Sequence, residues 1–262
     1  MQHGIFIAPF GPLADPHRVM QLATAVEETG WDGLFFWDHV LRPESNEILD
    51  PWVTMAAVAT CTEHIRIGPM VTPIARRRPI KLAREITTLD LLSQGRLTVG
   101  LGLGVDSGGE LSRFAEETRD RVRGEMLDDG ARLLAALLDG ETVVEVDGNY
   151  TIDGVSLEPR PFQQPRPPLW FAARAGAKKP VRRASLYEGM FPISMTPAQF
   201  DAALEEVVSV RGSLDGFDIC LKTNPGDPPP PYVDHATWLL QAFPAVADLD
   251  ELFNVVMHGP PQ

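Results

Sequence analysis

Residues 64–105 constrain the fold more than any other stretch, because they contain a strand, a helix and a second strand with short joints between them. An apolar run of strand length comes first, and Gly68-Pro69 interrupts it in the way typical of a β-bulge. Pro79 suits the first turn of a helix, and apolar residues recur after it at helical spacing. Gly95 suits the position just past the helix end, and the strand LTVGLGLG follows at once. The stretch predicts one parallel crossover unit, which is right-handed in nearly all proteins.

The alternation of strand and helix continues along the chain. Apolar runs predict eight strands, at residues 4–9, 33–37, 65–71, 97–103, 169–173, 190–194, 217–222 and 237–242. Helical periodicity and proline after Asp or Thr predict helices at residues 16–28, 52–62, 80–92, about 110–138, 176–188, 198–210 and 249–257. Eight repeats in this length favour closure into a TIM-type (β/α)8 barrel over an open doubly wound sheet, with residues 1–262 as a single domain.

Two segments depart from the repeat. The apolar period changes to two at residues 142–152, with a turn at 147–149, which predicts a β-hairpin insert. A proline-rich connector follows at residues 159–168. Four consecutive prolines at 228–231 exclude a full helix between the seventh and eighth strands. We therefore expect the seventh crossover helix to be missing or reduced to about one turn.

Composition excludes several classes of function. A formal net charge of −13 and a pI of about 4.9 argue against binding to nucleic acid or to an anionic membrane. Cys61 and Cys220 form no CxxC pair, so we predict two structural thiols and no metal site. The N-terminus lacks the pattern of a signal peptide, and no apolar run approaches the roughly 20 residues of a membrane span. The expected location is the cytoplasm.

In a barrel of this type the chemistry collects at the carboxyl ends of the strands. Asp38 and His39 end the second strand, and a histidine beside a carboxylate is a usable general acid or base near neutral pH. The alternative is a pair that only caps local backbone. Gly102 and Gly104 belong to three alternating glycines that leave one face of the fourth strand without side chains. Either a flat ligand presses on this face, or the barrel interior needs the space for packing.

Two basic segments also follow strands. Residues 174–177 join the fifth strand to a helix, where Gly176 allows a turn and free N–H groups could hold a phosphate. Arg174 and the two lysines at 178–179 add positive charge, and the alternative is a solvated loop. The run of three arginines at 76–78 is interpreted as a solvated face in preference to a contact with a substrate anion.

Several motifs together resemble the bacterial luciferase-like oxidoreductases, which use FMN or a deazaflavin, coenzyme F420. The residues that carry the resemblance are ETGWDGLFFWDHV, IGPMVTPIARRRPIKLAREITTLDLLSQGRLTVGLGLG, DGNYTIDGVSLEPRPFQQPRPPLWFAA, EGMFP and the terminal GPP. They span nearly the whole chain. The central motif is the most specific, because its segments follow one another in the order that the family has.

The resemblance implies where the cofactor lies. It places the ring across strands three and four, with an irregular, often cis, peptide between Met70 and Val71. It puts the backbone of Val71 and Thr72 behind the ring, with Gly102 and Gly104 beneath the cofactor. It also puts the cofactor phosphate at Arg174, Ala175, Gly176 and Ala177.

The resemblance also implies the chemistry. His39 would act in acid–base catalysis beside the centre of hydride transfer, with Asp38 as its orienting partner, and this pair favours the deazaflavin branch. Deazaflavin-dependent sugar-phosphate dehydrogenases have a glutamate just after the glycine strand, where this chain has Val105, followed by Asp106. Oxidation of a sugar phosphate is therefore in doubt.

Two functions follow from these expectations. The first is an enzyme that transfers hydride to, or activates oxygen for, a small organic substrate. A separate reductase would be needed if FMN is the cofactor, and a homodimer is expected by resemblance. The second is a non-catalytic, cofactor-binding accessory protein, supported by the reduced crossover and the missing glutamate.

Overall fold

A computed structural model describes residues 1–145 and 148–261. The strands are β1 (Gln2–Ile7), β2 (Gly33–Phe36), β3 (Arg66–Pro69), β4 (Thr72–Pro73), β5 (Val99–Gly102), β6 (Val143–Glu145), β7 (Ile152–Val155), β8 (Leu169–Arg174), β9 (Gly189–Ile193), β10 (Asp218–Thr223) and β11 (Trp238–Ala242). The α-helices are α1 (Pro16–Glu28), α2 (Pro51–Cys61), α3 (Pro79–Leu92), α4 (Asp120–Leu138), α5 (Lys178–Ala184), α6 (Pro197–Arg211) and α7 (Leu249–His258).

The main sheet is a parallel barrel. Its strand order is β3-β2-β1-β11-β10-β9-β8-β5-β4, and its paired strands run parallel. β3 and β4 are two halves of the third strand, separated by a cis peptide bond between Met70 and Val71. β4 pairs with β5, and a bridge between Ile67 and Leu97 brings β3 back to the same neighbour. Counting the halves as one strand gives the predicted eight-stranded TIM-type barrel.

Both predicted departures from the repeat are present. β6 and β7 form an antiparallel hairpin outside the barrel. The turn predicted at residues 147–149 includes Asp147, which lies outside the described residues together with Val146. Between β10 and β11 the chain forms a single 3-10 turn, Val233–His235, in place of the seventh crossover helix. The four prolines lack the N–H groups that a longer helix needs.

Side-chain caps begin four of the helices where the sequence predicts them. The carboxylates of Asp15, Asp50 and Asp248 each accept a hydrogen bond from a backbone N–H in the first turn that follows. Thr196 forms a reciprocal capping box with Gln199 at the start of α6. These local contacts explain why the predicted helix starts lie within a residue or two of the observed ones.

The helix predicted from about residue 110 begins ten residues later, at Asp120. Before it, the chain makes two 3-10 turns, Ser107–Gly109 and Ser112–Phe114, and Ala115 adopts a left-handed backbone with φ of 57°. The carboxylate of Asp106 accepts hydrogen bonds from two backbone N–H groups of this segment, at 2.7 and 3.0 Å. The segment is therefore a structured loop after β5. α5 is also shorter than predicted, since it ends at Ala184.

Alternate residues of each strand divide the core into two layers. Ile5, Ile7 and Leu34 pack outward against the helices. Phe6 and Phe35 point inward and join a separate cluster inside the barrel. Both cysteines are free thiols, as predicted. Across the described ranges, no helix is both long and apolar enough to cross a membrane.

Candidate active site

A cavity of about 690 Å³ opens at the carboxyl ends of the barrel strands. Its walls come from strand ends, from the loop after β5 and from the first turns of α4 and α5. An apolar floor continues from the interior cluster and comprises Phe6, Trp37, Met70, Val71, Phe191 and Ile193. Six basic side chains also line it: Arg121, Arg123, Arg174, Lys179, Arg183 and Lys222. A cavity with these two surfaces suits a ligand that has an apolar body and an anionic group.

His39 lies at the edge of this cavity and is held by a buried carboxylate. Its Nδ1 lies 2.7 Å from Oε1 of Glu110, whose side chain has no solvent exposure. Oε2 of Glu110 accepts a hydrogen bond from Nη1 of Arg76 at 2.7 Å, so this carboxylate acts as an acceptor on both sides. Nδ1 of His39 is therefore the donor, which leaves Nε2 as the ring nitrogen available to a ligand. The ring of Trp37 lies beside the imidazole, with centroids 5.7 Å apart.

Asp38 occupies a different place from the one expected. Its carboxylate accepts hydrogen bonds from the Thr72 hydroxyl at 2.7 Å and from Nε1 of Trp52 at 3.1 Å. It also accepts bonds from Arg76 and Arg77, each at 2.9 Å. The partner of His39 is thus Glu110, and Asp38 reaches the histidine only through Arg76.

The interpretation of the arginine run as a solvated face is wrong for two of its three members. The side chains of Arg76 and Arg77 are only 7% and 16% exposed, and both neutralise Asp38. Arg78 alone is exposed, as the residue before α3. The sequence hides this arrangement because the buried carboxylates that pair with the arginines lie more than 30 residues away along the chain.

Glu110 is the site residue that sequence reasoning missed. The sequence analysis looked for a glutamate just after the glycine strand and found Val105, which does line the cavity. The carboxylate comes five residues later, because the loop after β5 turns back and brings Glu110 under His39. The segment was interpreted as helix, so its acidic residue was assigned to a helix start. An acidic residue in the loop after an inward-facing strand is the signal that could have found it.

The glycines of the fourth strand make room for the third strand. A Cβ on Gly100 would collide with the Pro69 carbonyl and would lie 2.6 Å from the Met70 sulfur. A Cβ on Gly102 would collide with Cγ2 of Val71. The interrupted third strand therefore covers both positions, which favours the packing explanation. Gly104 differs, since it lines the cavity and has a left-handed backbone with φ of 75°.

The residues proposed to hold a cofactor therefore fall into three groups. Four line the cavity: Met70, Val71, Gly104 and Arg174. Thr72 and Gly102 are buried behind this surface, Thr72 bonded to Asp38 and Gly102 covered by Val71. Ala175, Gly176 and Ala177 form the turn between β8 and α5, where Gly176 has φ of 86° and, with Ala177, is exposed.

Basic groups on α4 and α5 are positioned to receive an anion. Arg123 is 3% exposed and lines the cavity, and its Nε has no hydrogen-bond partner among the described residues. Nε of Arg183 bonds to Asp128 at 2.5 Å, and Lys179 lies 3.1 Å from the same carboxylate. Although burial opposes it, these contacts lower the pKa of Asp128. A buried donor without a partner beside a cavity fits a ligand with acceptor oxygens, such as a phosphate.

Comparison with known proteins places this geometry in context. A family model described as luciferase-like monooxygenase matches residues 1–224. The uncharacterized protein y4wF of Sinorhizobium fredii (strain NBRC 101917 / NGR234) is 30% identical over 153 residues, which cover 58% of this chain and 44% of that protein. The chain thus spans less than half the length of this curated relative.

Two solved structures share the fold. An F420-dependent secondary alcohol dehydrogenase in complex with an F420-acetone adduct superposes with a TM-score of 0.74 and 19% identity, covering 97% of this chain and 81% of the other. The monooxygenase RslO1 from Streptomyces bottropensis gives a TM-score of 0.72 at 25% identity, covering 86% of this chain and 71% of the other. Since the family model covers most of the sequence, this chain belongs to the luciferase-like monooxygenase family.

Proposed function

We propose that this protein is a flavin- or deazaflavin-dependent oxidoreductase that acts on a small organic substrate by hydride transfer or monooxygenation. The observation that carries the proposal is the hydrogen-bonded series from Asp38 through Arg76 and Glu110 to His39, which ends at a cavity with an apolar floor and a basic wall. Family membership and the similarity to an F420-dependent dehydrogenase and to a monooxygenase support it.

The cavity residues fit FMN or coenzyme F420. Met70 and Val71 offer an apolar surface for a flat ring, and Thr72 and Gly102 support them from behind. Arg123, with its unpartnered Nε, and Arg174 suit the anionic part of the cofactor, with the turn at residues 175–177 beside it. When bound, such a cofactor supplies the redox chemistry that protein side chains lack.

His39 is the proposed catalytic acid or base. Its Nδ1 donates to Glu110, so Nε2 is the atom that takes or gives the proton of the substrate as bonds to hydrogen or oxygen change. Glu110 fixes the tautomer and the orientation of the ring. Asp38 acts one step further away, since it holds Arg76, which holds Glu110. We therefore propose Asp38 as a positioning residue.

Two equilibrium titrations of the purified protein, one with FMN and one with coenzyme F420, test the cofactor. Each is followed by the quenching of cofactor fluorescence. Turnover is then measured as a change in cofactor absorbance with a panel of small alcohols, ketones and carboxylic acids. We expect His39→Ala to keep cofactor affinity within a few-fold and to lose turnover by about 10²–10⁴-fold. His17→Ala, at an exposed position on α1, is the matched control and should change neither quantity.

The accessory-protein alternative predicts cofactor binding without turnover in the unmodified protein. The reduced seventh crossover still favours this alternative, because it thins one side of the barrel. Its second argument, a missing glutamate, is weaker, since Glu110 provides a carboxylate at His39. Binding of neither cofactor would reject both functions. The homodimer, the reductase partner and the cytoplasmic location stay predictions.

A further inference from the structure

Lys222 is a cation inside the barrel that the proposed chemistry does not use. It lies on β10, two residues after Cys220, whose side chain belongs to the interior cluster. Because alternate residues of a strand share a face, the Lys222 side chain also points to the interior. It lies one residue from the carboxyl end of β10 and therefore reaches the cavity, which it lines.

This ammonium differs from the other three in the chain. Lys81, Lys178 and Lys179 each lie within 4.0 Å of a carboxylate, on Glu85, Glu206 and Asp128 respectively. Within the described ranges, no carboxylate lies within that distance of Lys222. Its partial removal from water lowers the pKa of Lys222, because a charge away from water is costly without a partner. An anionic ligand would supply the missing partner.

The position of Lys222 separates it from the proposed cofactor contacts. In the strand order of the barrel, β10 is four strands from β4 through β9, β8 and β5, and four from β3 through β11, β1 and β2. Lys222 therefore faces Met70 and Val71 across the mouth of the barrel. The arginines that suit the cofactor phosphate belong to β8, α4 and α5, on a different part of the wall.

The surface near Lys222 is apolar. Phe6 and Phe191 lie in the same interior cluster as Cys220, with their rings 6.0 Å apart and nearly perpendicular, and both line the cavity. Ile193 and Trp37 extend this surface toward His39. A single ammonium on an apolar wall matches one carboxylate on an aromatic or aliphatic body. A phosphate dianion, in contrast, is better matched by several cations or by arginine.

We propose that Lys222 binds the carboxylate of the substrate, so that the substrate class is a small organic acid whose apolar body lies against Phe6 and Phe191. This proposal rests on the proposed function, because the cofactor must occupy the opposite wall for the substrate to lie between the ring and Lys222. It makes Lys222 a specificity residue that sets which substrates bind.

The test uses benzoate and benzamide, two probes of nearly equal size that differ in charge. Each is titrated calorimetrically into the full-length protein, with and without saturating cofactor. We expect the unmodified protein to bind benzoate at least 10-fold more tightly than benzamide. Lys222→Met should remove this preference by weakening benzoate at least 10-fold while leaving benzamide unchanged. Lys222→Arg should keep most of it, since the charge remains.

Lys81→Met is the matched control, because it removes the same charge from an exposed position on α3. It should keep the full preference for benzoate. Thermal unfolding followed by circular dichroism checks each variant, and Lys222→Met should unfold no earlier than the unmodified protein, because it removes a cation without a partner. Should Lys222→Met fail to fold, the comparison of Lys222→Arg with Lys81→Met decides.

The outcomes separate this proposal from the proposed function. Cofactor binding without a preference for benzoate, or a preference that survives Lys222→Met, overturns the role of Lys222 and leaves the function standing. No measurable binding of benzoate to the unmodified protein overturns it as well. A preference that depends on Lys222 in a protein that binds neither cofactor supports the anion site and rejects the oxidoreductase. Loss of cofactor affinity in Lys222→Met, with the benzoate preference unchanged, would assign Lys222 to the cofactor instead.

Discussion

Replacement of Glu110 by glutamine tests whether this carboxylate orients His39. Glu110 accepts hydrogen bonds from Nδ1 of His39 and Nη1 of Arg76, both at 2.7 Å, and a longer one from the Val40 N–H at 3.3 Å. A glutamine fills the same volume but has one acceptor oxygen and one NH2 group. If its oxygen faces Arg76, its NH2 group faces the Nδ1–H of His39, so two donors meet.

The structure gives the size of the effect. One hydrogen bond to a charged group is lost, which costs about 1.5–3 kcal/mol, and the buried donor left without a partner costs about 1–3 kcal/mol more. We therefore expect Glu110→Gln to lower the free energy of unfolding by about 3–5 kcal/mol, the range typical for breaking a buried ion pair. With an m-value of about 3 kcal/mol/M, the urea midpoint would fall by at least about 1 M.

A double-mutant cycle with His39→Ala isolates the contact. In the His39→Ala background the glutamine oxygen can face Arg76 without opposing a second donor, so the loss from Glu110→Gln should be smaller by about 1.5–3 kcal/mol. Urea unfolding of the four proteins, followed by circular dichroism, measures this coupling, and Glu117→Gln at an exposed site is the control. Additive effects of the two substitutions would show that Glu110 and His39 are not paired, and the proposed orientation of Nε2 would fail.

Two further predictions concern packing and pH. Gly102→Ala should destabilise the protein by about 1–3 kcal/mol in thermal or urea unfolding, because the new methyl group collides with Val71. Gly124→Ala in α4 should instead stabilise it by up to about 1 kcal/mol, since the nearest atom to its Cβ lies 3.8 Å away and alanine favours the helix; equal effects of the two would refute the steric argument. Although burial opposes it, hydrogen bonds from the backbone N–H groups of residues 63–65 lower the pKa of Glu27. Its contribution to stability is therefore present above the pKa of the unfolded carboxyl group and lost as the pH falls through the lower pKa of the folded state. Glu27→Gln should cost about 1 kcal/mol at pH 7 and progressively less below about pH 4, as measured by unfolding across this range, and a cost independent of pH would contradict the assignment.

Part of the candidate site could be predicted from the sequence. Strand ends can be found from apolar runs, and the rule that chemistry collects at the carboxyl ends of barrel strands led to His39, Met70 and Val71, all of which line the cavity. The same rule could not reveal Glu110, because no local signal marks how a loop turns back over a barrel. It also could not rank Lys222, whose importance depends on the absence of a nearby carboxylate among the described residues.

The sequence by itself determined the repeating architecture. Caps such as those at Asp15 and Thr196 act within one helical turn, and four consecutive prolines exclude a helix whatever surrounds them. These signals are short-range, so they can be interpreted along the chain, and the strands and helices they predict are present with small shifts of their ends.

Only the tertiary structure decided which groups meet. Closure of the barrel places the interrupted third strand over Gly100 and Gly102, and it brings Glu110 to His39 across 71 residues of chain. Pairing of buried charges depends on distance in space and on the exclusion of water, which the order of residues does not encode locally. For this reason the partners of Asp38 and His39 could be identified only once the barrel was closed.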